Sequence, residues 1–338
     1  MATITASQQR ALDMNVITRK QRSLWMDAAD RLRRNKAAMA GLFVILGFAL
    51  VAIFADLRVG PLHIQLAPYD PTCYFYLNGH TACGGDVVGA RSGPPTANPF
   101  WGANADPRFL LGTDQIGRDI LSRLMFSARI SMVIGFVPVV LYFLIGGTIG
   151  LAAGYYGGWI DNLLMRFTDI VYAFPDLLLL IIIMATIRNT WIGDIMGGLF
   201  LMFIALSIVN WVGMARLVRG QVLSLREKEF VEAARSIGAG PVRIMTRHLL
   251  PNSLAPVIVS MAFSVPLAIF AEASLSFLGI GIKPPTPSWG VMINEGFVVF
   301  TGTPSMVLLP AACIALVMLA FTFLGDGLRD ALDPRMKL

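Results

Sequence analysis

Charged residues are scarce in this chain: they make up 14% of its 338 residues, whereas hydrophobic residues make up 56%. Ordinary soluble domains carry about a quarter charged residues, and a soluble core of this size could not bury so much apolar surface. The apolar residues also come in continuous runs, without the period-two alternation of a transmembrane barrel. These features exclude a soluble enzyme, a collagen-like chain and a disordered chain, and they predict an integral membrane protein built from helices.

Cysteine and histidine are equally sparse, with three residues of each. Cys313 lies inside an apolar run, where we expect it to serve packing. Cys73 and Cys83 lie ten residues apart in one loop, so a disulfide is one possibility if that loop faces an oxidising compartment, and two free thiols are the other. The chain has no Cys-x-x-Cys and its histidines show no metal-ligand spacing, so no metal site is predicted.

Catalytic motifs are missing as well. Residues 112–119 have the glycine spacing of a phosphate-binding loop, but Arg118 and Asp119 stand where that loop needs a lysine and a Ser or Thr. No Gly-x-Ser-x-Gly, His-Glu-x-x-His or Ser-x-x-Lys pattern lies in an apolar run or beside one. We therefore expect that this chain is not an enzyme and binds no cofactor of its own.

Long uncharged runs predict the transmembrane helices, because about 20 helical residues cross a hydrocarbon layer of about 30 Å. Five runs qualify: 37–55, 130–154, 196–215, 252–271 and 304–325. A sixth crossing within 160–187 has to include Arg166, Asp169, Pro175 and Asp176. The predicted fold is an all-α membrane protein with six transmembrane helices.

The charges inside the sixth crossing are costly in lipid and usually face water or the bundle interior. We expect Asp169 to lie near the inner interface and to pair with Arg166, three residues earlier. Asp176 follows Pro175 deeper in the crossing, and it remains a candidate residue of a translocation path.

Glycines recur at every fourth position of the second apolar run and just beyond it, at Gly146, Gly150, Gly154 and Gly158. Such a ladder lets a neighbouring helix backbone approach closely. Fixed packing and a contact that moves during function are both compatible with this pattern.

Basic residues set the predicted orientation. Residues 1–36 hold eight Lys or Arg against three Asp, residues 216–247 hold seven against three Glu, and residues 56–129 hold six Arg and six Asp. The positive-inside rule then makes both basic segments cytoplasmic, and six crossings return the C-terminus to the same side. The predicted organisation is a cytoplasmic leader (1–36), a first transmembrane helix (37–55), an extracytoplasmic loop (56–129), a five-helix core (130–326) with a cytoplasmic loop (216–250), and a cytoplasmic tail (327–338).

The first apolar run is predicted to be an uncleaved anchor, because it is long enough to span and no convincing small-residue cleavage site follows it. Residues 23–36, just before it, form either a helix along the inner surface or a solvated basic flank.

The cytoplasmic loop carries the most specific motif in the chain. It reads Glu232-Ala233-Ala234, three residues, Gly238, nine residues, and then His248-Leu249-Leu250-Pro251. We expect a short helix over 226–237, with its glutamates in the first half where the helix dipole favours them, and a turn at Gly238. Ala233 and Ala234 would leave a small surface for a partner protein. Pro251 suits the first turn of the next transmembrane helix.

This spacing resembles the Glu-Ala-Ala motif of permease subunits in binding-protein-dependent ABC importers, with His248 where that family has Ile. Other stretches resemble the dipeptide/oligopeptide/nickel branch, and its C-type subunit in particular. They are 111–119 with Ser122 and Arg123, 173–175, 272–281, 284–290 and 324–335. The resemblance covers most of the chain except 57–108.

The resemblance implies a type I ABC importer permease fold and a permease subunit of the bacterial inner membrane that translocates oligopeptides or dipeptides. It also implies four kinds of partner: a homologous permease, two ATPase subunits that hold ATP and Mg, an extracytoplasmic solute-binding protein, and membrane lipid. Nucleic acid is not among them. The coupling site toward the ATPases would consist of Glu232, Ala233, Ala234, Gly238, Leu250 and Pro251.

Two alternatives stay open. Nickel and glutathione importers share these motifs, so the same permease role for either solute is possible. A stand-alone membrane carrier or intramembrane enzyme is the alternative from another class, and it would need acid/base pairs beyond Asp169 and Asp176.

Overall fold

The structure is a computed structural model of the chain, and it describes residues 24–59, 62–75, 81–82 and 109–333. Ten helices of eight or more residues carry the fold within these ranges. They are α1 (Leu24–Arg34), α2 (Lys36–Phe54), α3 (Ile120–Tyr156), α4 (Gly158–Tyr172), α5 (Asp176–Ile187), α6 (Leu199–Leu225), α7 (Glu229–Ser236), α8 (Leu250–Phe277), α9 (Trp289–Phe297) and α10 (Ser305–Leu332). Between α2 and α3, β1 (Leu57–Val59) pairs antiparallel with β2 (Leu62–Ile64), and β3 (Tyr74–Phe75) pairs antiparallel with β4 (Thr81–Ala82).

Five helical segments in the described ranges are long and apolar enough to cross a membrane: α2, α3, Trp191–Leu225, Pro241–Phe277 and α10. Helices α4 and α5 form a sixth candidate, a pair bent by 78° at the break between them. Pro175 explains the break, because proline lacks the N–H of a helical bond and disfavours helical backbone at the residue before it. The predicted count of six is reached when this bent pair is one crossing.

The helices extend beyond the uncharged runs, so parts of three segments predicted as loop or tail are helical. Helix α3 begins at Ile120, inside the predicted loop 56–129; α6 continues to Leu225, inside the predicted loop 216–250; and α10 reaches Leu332, inside the predicted tail 327–338. A charge marks where the chain can leave the hydrocarbon layer, but a helix satisfies its own backbone hydrogen bonds in water as well as in lipid. The ends of the charge-free runs therefore do not mark the ends of the helices, and the predicted membrane borders stay predictions.

Pro251 is the second residue of α8, so it lies in the first turn of that helix, as predicted. A short helical turn and the π-helical stretch Met245–Leu249 precede α8 without interruption, so Pro251 lies within the helical run Pro241–Phe277. Its ring would crowd a regular α-helical turn ahead of it, and a wider π-turn relieves such crowding.

Helices α3 and α6 pack closely at the centre of the bundle. Three of the four predicted ladder glycines line this contact: Gly146, Gly150 and Gly154. A Cβ atom on Gly150 would lie 2.5 Å from the carbonyl oxygen of Ala215, so the two backbones are nearly in contact. Gly158 lies beyond the helix break, in α4, and a Cβ atom there would meet nothing within 4 Å. The ladder is a packing contact over three positions.

The leader forms a helix from Leu24, and Asn35 separates α1 from the first span. The Asn35 side chain accepts hydrogen bonds from the N–H groups of Ala37 and Ala38, which caps α2. At the other end of α2, Arg129 donates to the carbonyl oxygens of Ala52, Ile53 and Asp56 at 2.8, 3.2 and 2.9 Å. Polar side chains therefore form hydrogen bonds with free backbone N–H groups at the start of the first span and with free carbonyl oxygens at its end.

The cysteines differ in state. Cys73 is buried and disulfide-bonded, whereas Cys313 is a free thiol within α10. Cys83, the predicted partner of Cys73, lies outside the described residues, so the pairing stays a prediction.

Candidate functional site

Helix α7 is the centre of the candidate coupling site. It spans Glu229–Ser236, with Lys228 as its N-cap and with Glu229 and Glu232 in its first turn, where the positive end of the helix dipole favours acidic side chains. The helix is three residues shorter at its start than predicted, because residues 226–228 form the turn that leads out of α6.

Gly238 ends this helix through a Schellman motif. Its φ angle is 80°, its N–H donates to the carbonyl of Arg235 at 2.9 Å, and the N–H of Ala239 donates to the carbonyl of Ala234 at 3.0 Å. A Cβ atom on Gly238 would meet nothing within 4 Å. The left-handed backbone, and not crowding, is therefore what favours glycine here.

One side of α7 packs against the membrane helices. Val231 is fully buried and Ala234 is 4% exposed, in a cluster with Val218 and Val222 of α6 and with Leu249. Leu250 packs against the same cluster at its edge. The expectation that Ala234 belongs to a partner-facing surface is therefore wrong, because its side chain is buried in this cluster.

The other side of α7 carries an exposed apolar stripe, which we call the outer stripe: Phe230, Ala233 and Ile237. The spacing i, i+3, i+7 places these side chains on one helix face. Ala233 is exposed, and Phe230 and Ile237 are 39% and 85% exposed. Val242, just beyond α7, is 67% exposed. Of the two motif alanines, only Ala233 therefore lies where a partner could contact it.

Two arginines attach the loop to the end of α3. Arg226 donates from Nη1 to the carbonyl oxygen of Gly154 at 3.1 Å, and the Arg235 guanidinium lies over the Tyr155 ring at 5.6 Å. The last carbonyls of a helix carry partial negative charge, so cations are favoured at this point. A displacement of the loop would therefore act on α3 as well as on α6.

Two further arginines, on α6, hold α4. Arg219 forms a two-pronged ion pair with Asp161, with both N···O distances at 2.6 Å. Arg216 pairs with Asp169 at 2.8 Å and lies 4.2 Å from the centre of the Tyr172 ring. The predicted pairing of Asp169 with Arg166 is therefore wrong, because the nearer cation comes from another helix and not from the preceding turn. The ion pair between Arg219 and Asp161 was not predicted from the sequence. The one feature that could have indicated it is the spacing of Arg216 and Arg219, which lie three residues apart and therefore on one face of α6.

Asp176 is the first residue of α5 and is exposed. The start of a helix favours a carboxylate, which accounts for an acid after Pro175 without a further partner. Its role in a translocation path stays a prediction.

A buried ion cluster at the opposite end of α3 was also missed. The carboxylates of Asp114 and Glu295 each accept from both Arg118 and Arg123, at 2.5–2.7 Å. Glu295 belongs to α9, so the cluster joins α9 to the start of α3. The other Asp114 oxygen accepts from the N–H groups of Ile116 and Arg118. The rejected phosphate-loop segment thus forms a turn closed by its own carboxylate.

Asp119, a polar residue next to this cluster, caps the start of α3. Its carboxylate accepts from the N–H of Ser122 at 2.7 Å. Burial raises the pKa of the Asp119 carboxyl group, and the hydrogen bonds from Ser122 offset part of that rise. In the described residues, no group of three or more His, Cys, Asp or Glu side chains could hold a metal ion.

Comparison with known proteins gives two family matches. The profile described as "Binding-protein-dependent transport system inner membrane component" matches residues 146–338. The profile described as "N-terminal TM domain of oligopeptide transport permease C" matches residues 23–81.

Similar curated proteins cover nearly the whole chain. The oligopeptide transport system permease protein OppC of Bacillus subtilis is 38% identical, over 96% of this chain and 94% of its own length. The dipeptide transport system permease protein DppC of the same organism is 38% identical, over 98% and 92%. The glutathione transport system permease protein GsiD of Pectobacterium atrosepticum is 39% identical, over 94% and 93%. Among solved structures, an inward-facing MetNI methionine ABC transporter chain is 20% identical with a TM-score of 0.47, over 62% of this chain and 96% of that one.

Proposed function

The chain belongs to the family of binding-protein-dependent transport system inner membrane components, and from this premise we propose that it is one permease subunit of an ATP-driven peptide importer. A member of this family is a multi-pass inner-membrane protein and a component of a transporter. The six apolar segments of the structure agree with that class.

Support for a peptide substrate comes from the relatives. The three named above belong to systems for oligopeptides, a dipeptide and glutathione, and all of these solutes are peptides. The proposed substrate class is therefore a short peptide delivered by an extracytoplasmic solute-binding protein. Nickel remains the alternative within the family branch that the motifs resemble.

The proposed assembly contains a second, homologous permease and two ATPase subunits, which would hold ATP and Mg. By the positive-inside rule, the basic segments 1–36 and 216–247 support a cytoplasmic N-terminus and α7 loop, and six crossings would return the C-terminus to the same side. The ATPases would then dock at the α7 loop, and the solute-binding protein at the other face.

The outer stripe is the observation that carries the coupling role. An apolar stripe on a short exposed helix, flanked by charged residues, is typical of a protein contact surface. The loop is also attached at two places, through Arg226 and Arg235 to α3 and through the buried cluster to α6. A movement of docked ATPases would therefore reach both central helices, as an alternating-access mechanism requires.

Replacement of Ala233 tests the docking surface, with Ala233→Ser as the matched control. Ala233→Trp adds bulk to the middle of the outer stripe, and because the Ala233 side chain is exposed, we expect the variant to keep its fold. We expect the tryptophan variant to insert normally, to lose the co-purifying ATPase subunits, and to lose peptide uptake and substrate-stimulated ATP hydrolysis in reconstituted vesicles. The serine variant should keep all three.

Two outcomes would contradict the proposal. Full ATPase association and normal uptake in Ala233→Trp would remove the docking assignment to α7. Peptide uptake by vesicles that contain this chain without ATPase subunits would instead favour the stand-alone carrier.

A further inference from the structure

Two loops meet at the end of the helix bundle that lies opposite the α7 loop. Residues 188–198 connect α5 to α6, and residues 279–286 lie between α8 and α9. The segments Trp191–Leu225 and Pro241–Phe277 are each long and apolar enough to cross a membrane, and the α7 loop joins the end of the first to the start of the second. The other ends of both segments, and with them the two loops, therefore lie at the opposite membrane face. We call these two loops together the outer platform.

Polar contacts join the two loops of the outer platform. The Lys283 ammonium group donates to the Asp194 carboxylate at 2.6 Å, and the Lys283 N–H donates to the Gly197 carbonyl oxygen at 3.0 Å. The Arg188 guanidinium donates to the Gly279 carbonyl oxygen. Because side-chain and backbone groups of both loops take part, the outer platform is held in one arrangement.

Met196 has an unusual backbone conformation in this platform. It is the one non-glycine residue of the described ranges with a positive φ angle, at φ 52° and ψ 33°. Gly197 and Gly198 continue the left-handed backbone, which disfavours residues that have a Cβ atom. The Met196 side chain is 62% exposed, so it gains little packing against the described part of the chain. A contact outside the chain would account for a large side chain at this strained position.

Trp191 is a second large apolar side chain on the outer platform, and it is 74% exposed. The Asp194 side chain, between Trp191 and Met196 in sequence, is 70% exposed. A carboxylate and a backbone that has left the helix are both costly in hydrocarbon, so this loop faces water. Exposed apolar side chains on a fixed, water-facing loop are typical of a protein contact surface, and tryptophan is frequent among the residues that contribute most to binding.

We propose that the outer platform is the docking surface for the extracytoplasmic solute-binding protein, with Trp191 and Met196 as apolar anchors that enter a groove of that protein. This inference rests on the proposed function, in which the ATPases dock at the α7 loop and the solute-binding protein docks at the opposite face. A platform fixed in advance loses little conformational freedom on docking, which favours affinity. Lipid does not fit as the occupant, because it would leave the exposed Asp194 carboxylate against apolar chains.

Site-specific cross-linking identifies the occupant. A photoreactive phenylalanine analogue replaces Trp191 in the complete importer, reconstituted in vesicles with its peptide-loaded solute-binding protein. Phe43, which is 66% exposed on α2, is the matched control position. We expect a cross-link to the solute-binding protein from position 191 and none from position 43. A cross-link only to the second permease or to lipid, no cross-link from position 191, or an equal yield from position 43 would overturn the proposal.

Met196→Gly separates docking from folding, because glycine relieves the left-handed strain and removes the side chain at once. We expect an unfolding temperature at or above that of the unaltered protein, together with about tenfold weaker binding of the peptide-loaded solute-binding protein. Met196→Leu keeps an apolar side chain and should retain the binding. A merely structural role predicts the reverse, with a lower unfolding temperature and unchanged binding, and unchanged binding in Met196→Gly would overturn the proposal.

Peptide uptake by the unaltered importer shows which inference has failed. If uptake requires the solute-binding protein but Met196→Gly binds it normally, the proposed function stands and the docking surface lies elsewhere. If uptake is the same with and without the solute-binding protein, the proposed function itself fails.

Discussion

Gly150→Ala is the sharpest test of the contact between α3 and α6. An added Cβ atom would lie 2.5 Å from the Ala215 carbonyl oxygen and 2.9 Å from the Val218 Cβ atom. One of these neighbours is backbone, so it cannot turn aside as a flexible side chain can. The two helices would have to separate.

The size of the effect follows from these distances. A carbon atom and a carbonyl oxygen approach to about 3.3 Å at closest, so the helices would move apart by roughly 0.8 Å at this point. A gap of that size loses about a quarter to a half of the dispersion energy of the atoms beside it. We expect a steric cost of about 1–3 kcal/mol in the free energy of unfolding.

Gly147→Ala is the matched control, since it lies in the same helix and its Cβ atom would meet only the Phe143 ring, at 3.4 Å. Both replacements gain the same intrinsic helix preference of alanine over glycine, about 1 kcal/mol, so their difference isolates the steric cost. The measurement is the free energy of unfolding of each variant in mixed detergent. Equal stability of the Gly150 and Gly147 variants would refute the close backbone contact.

Two further predictions concern the ion pair between Arg219 and Asp161 and the predicted disulfide. Arg219→Gln should lower the free energy of unfolding by about 1 kcal/mol and abolish the effect of Asp161→Asn in a double-mutant cycle. Arg216→Gln breaks a more exposed ion pair and should therefore lower the free energy of unfolding by less. A double-mutant cycle that shows no coupling between Arg219 and Asp161 would contradict the view that their ion pair stabilises the fold. With the third cysteine replaced, Cys73 and Cys83 should react with a maleimide in detergent-denatured protein only after reduction, and labelling of either one without reductant would remove the predicted disulfide.

The class of the protein and most of its helices could be predicted from the amino-acid sequence. Runs of about 20 uncharged residues are long enough to span a bilayer, and this requirement acts on local composition alone. The end of α7 was also readable, because the left-handed turn at Gly238 is a local demand of the backbone. The glycine ladder was predicted from the spacing of its glycines at every fourth position. The structure adds that α6 is the helix that packs against the ladder and that Gly158 lies beyond the end of α3.

Which side of each element faces which neighbour could not be predicted and depends on how the helices pack. Ala233 and Ala234 are the same residue type in adjacent positions, and a turn of about 100° between them places one on the surface and the other in the buried cluster. The cation that pairs with Asp169 comes from Arg216, 47 residues away along the chain, and the cluster around Glu295 joins segments more than 170 residues apart. Sequence spacing describes contacts within one helix, whereas contacts between helices depend on how the helices pack, and that arrangement is set by the whole chain at once.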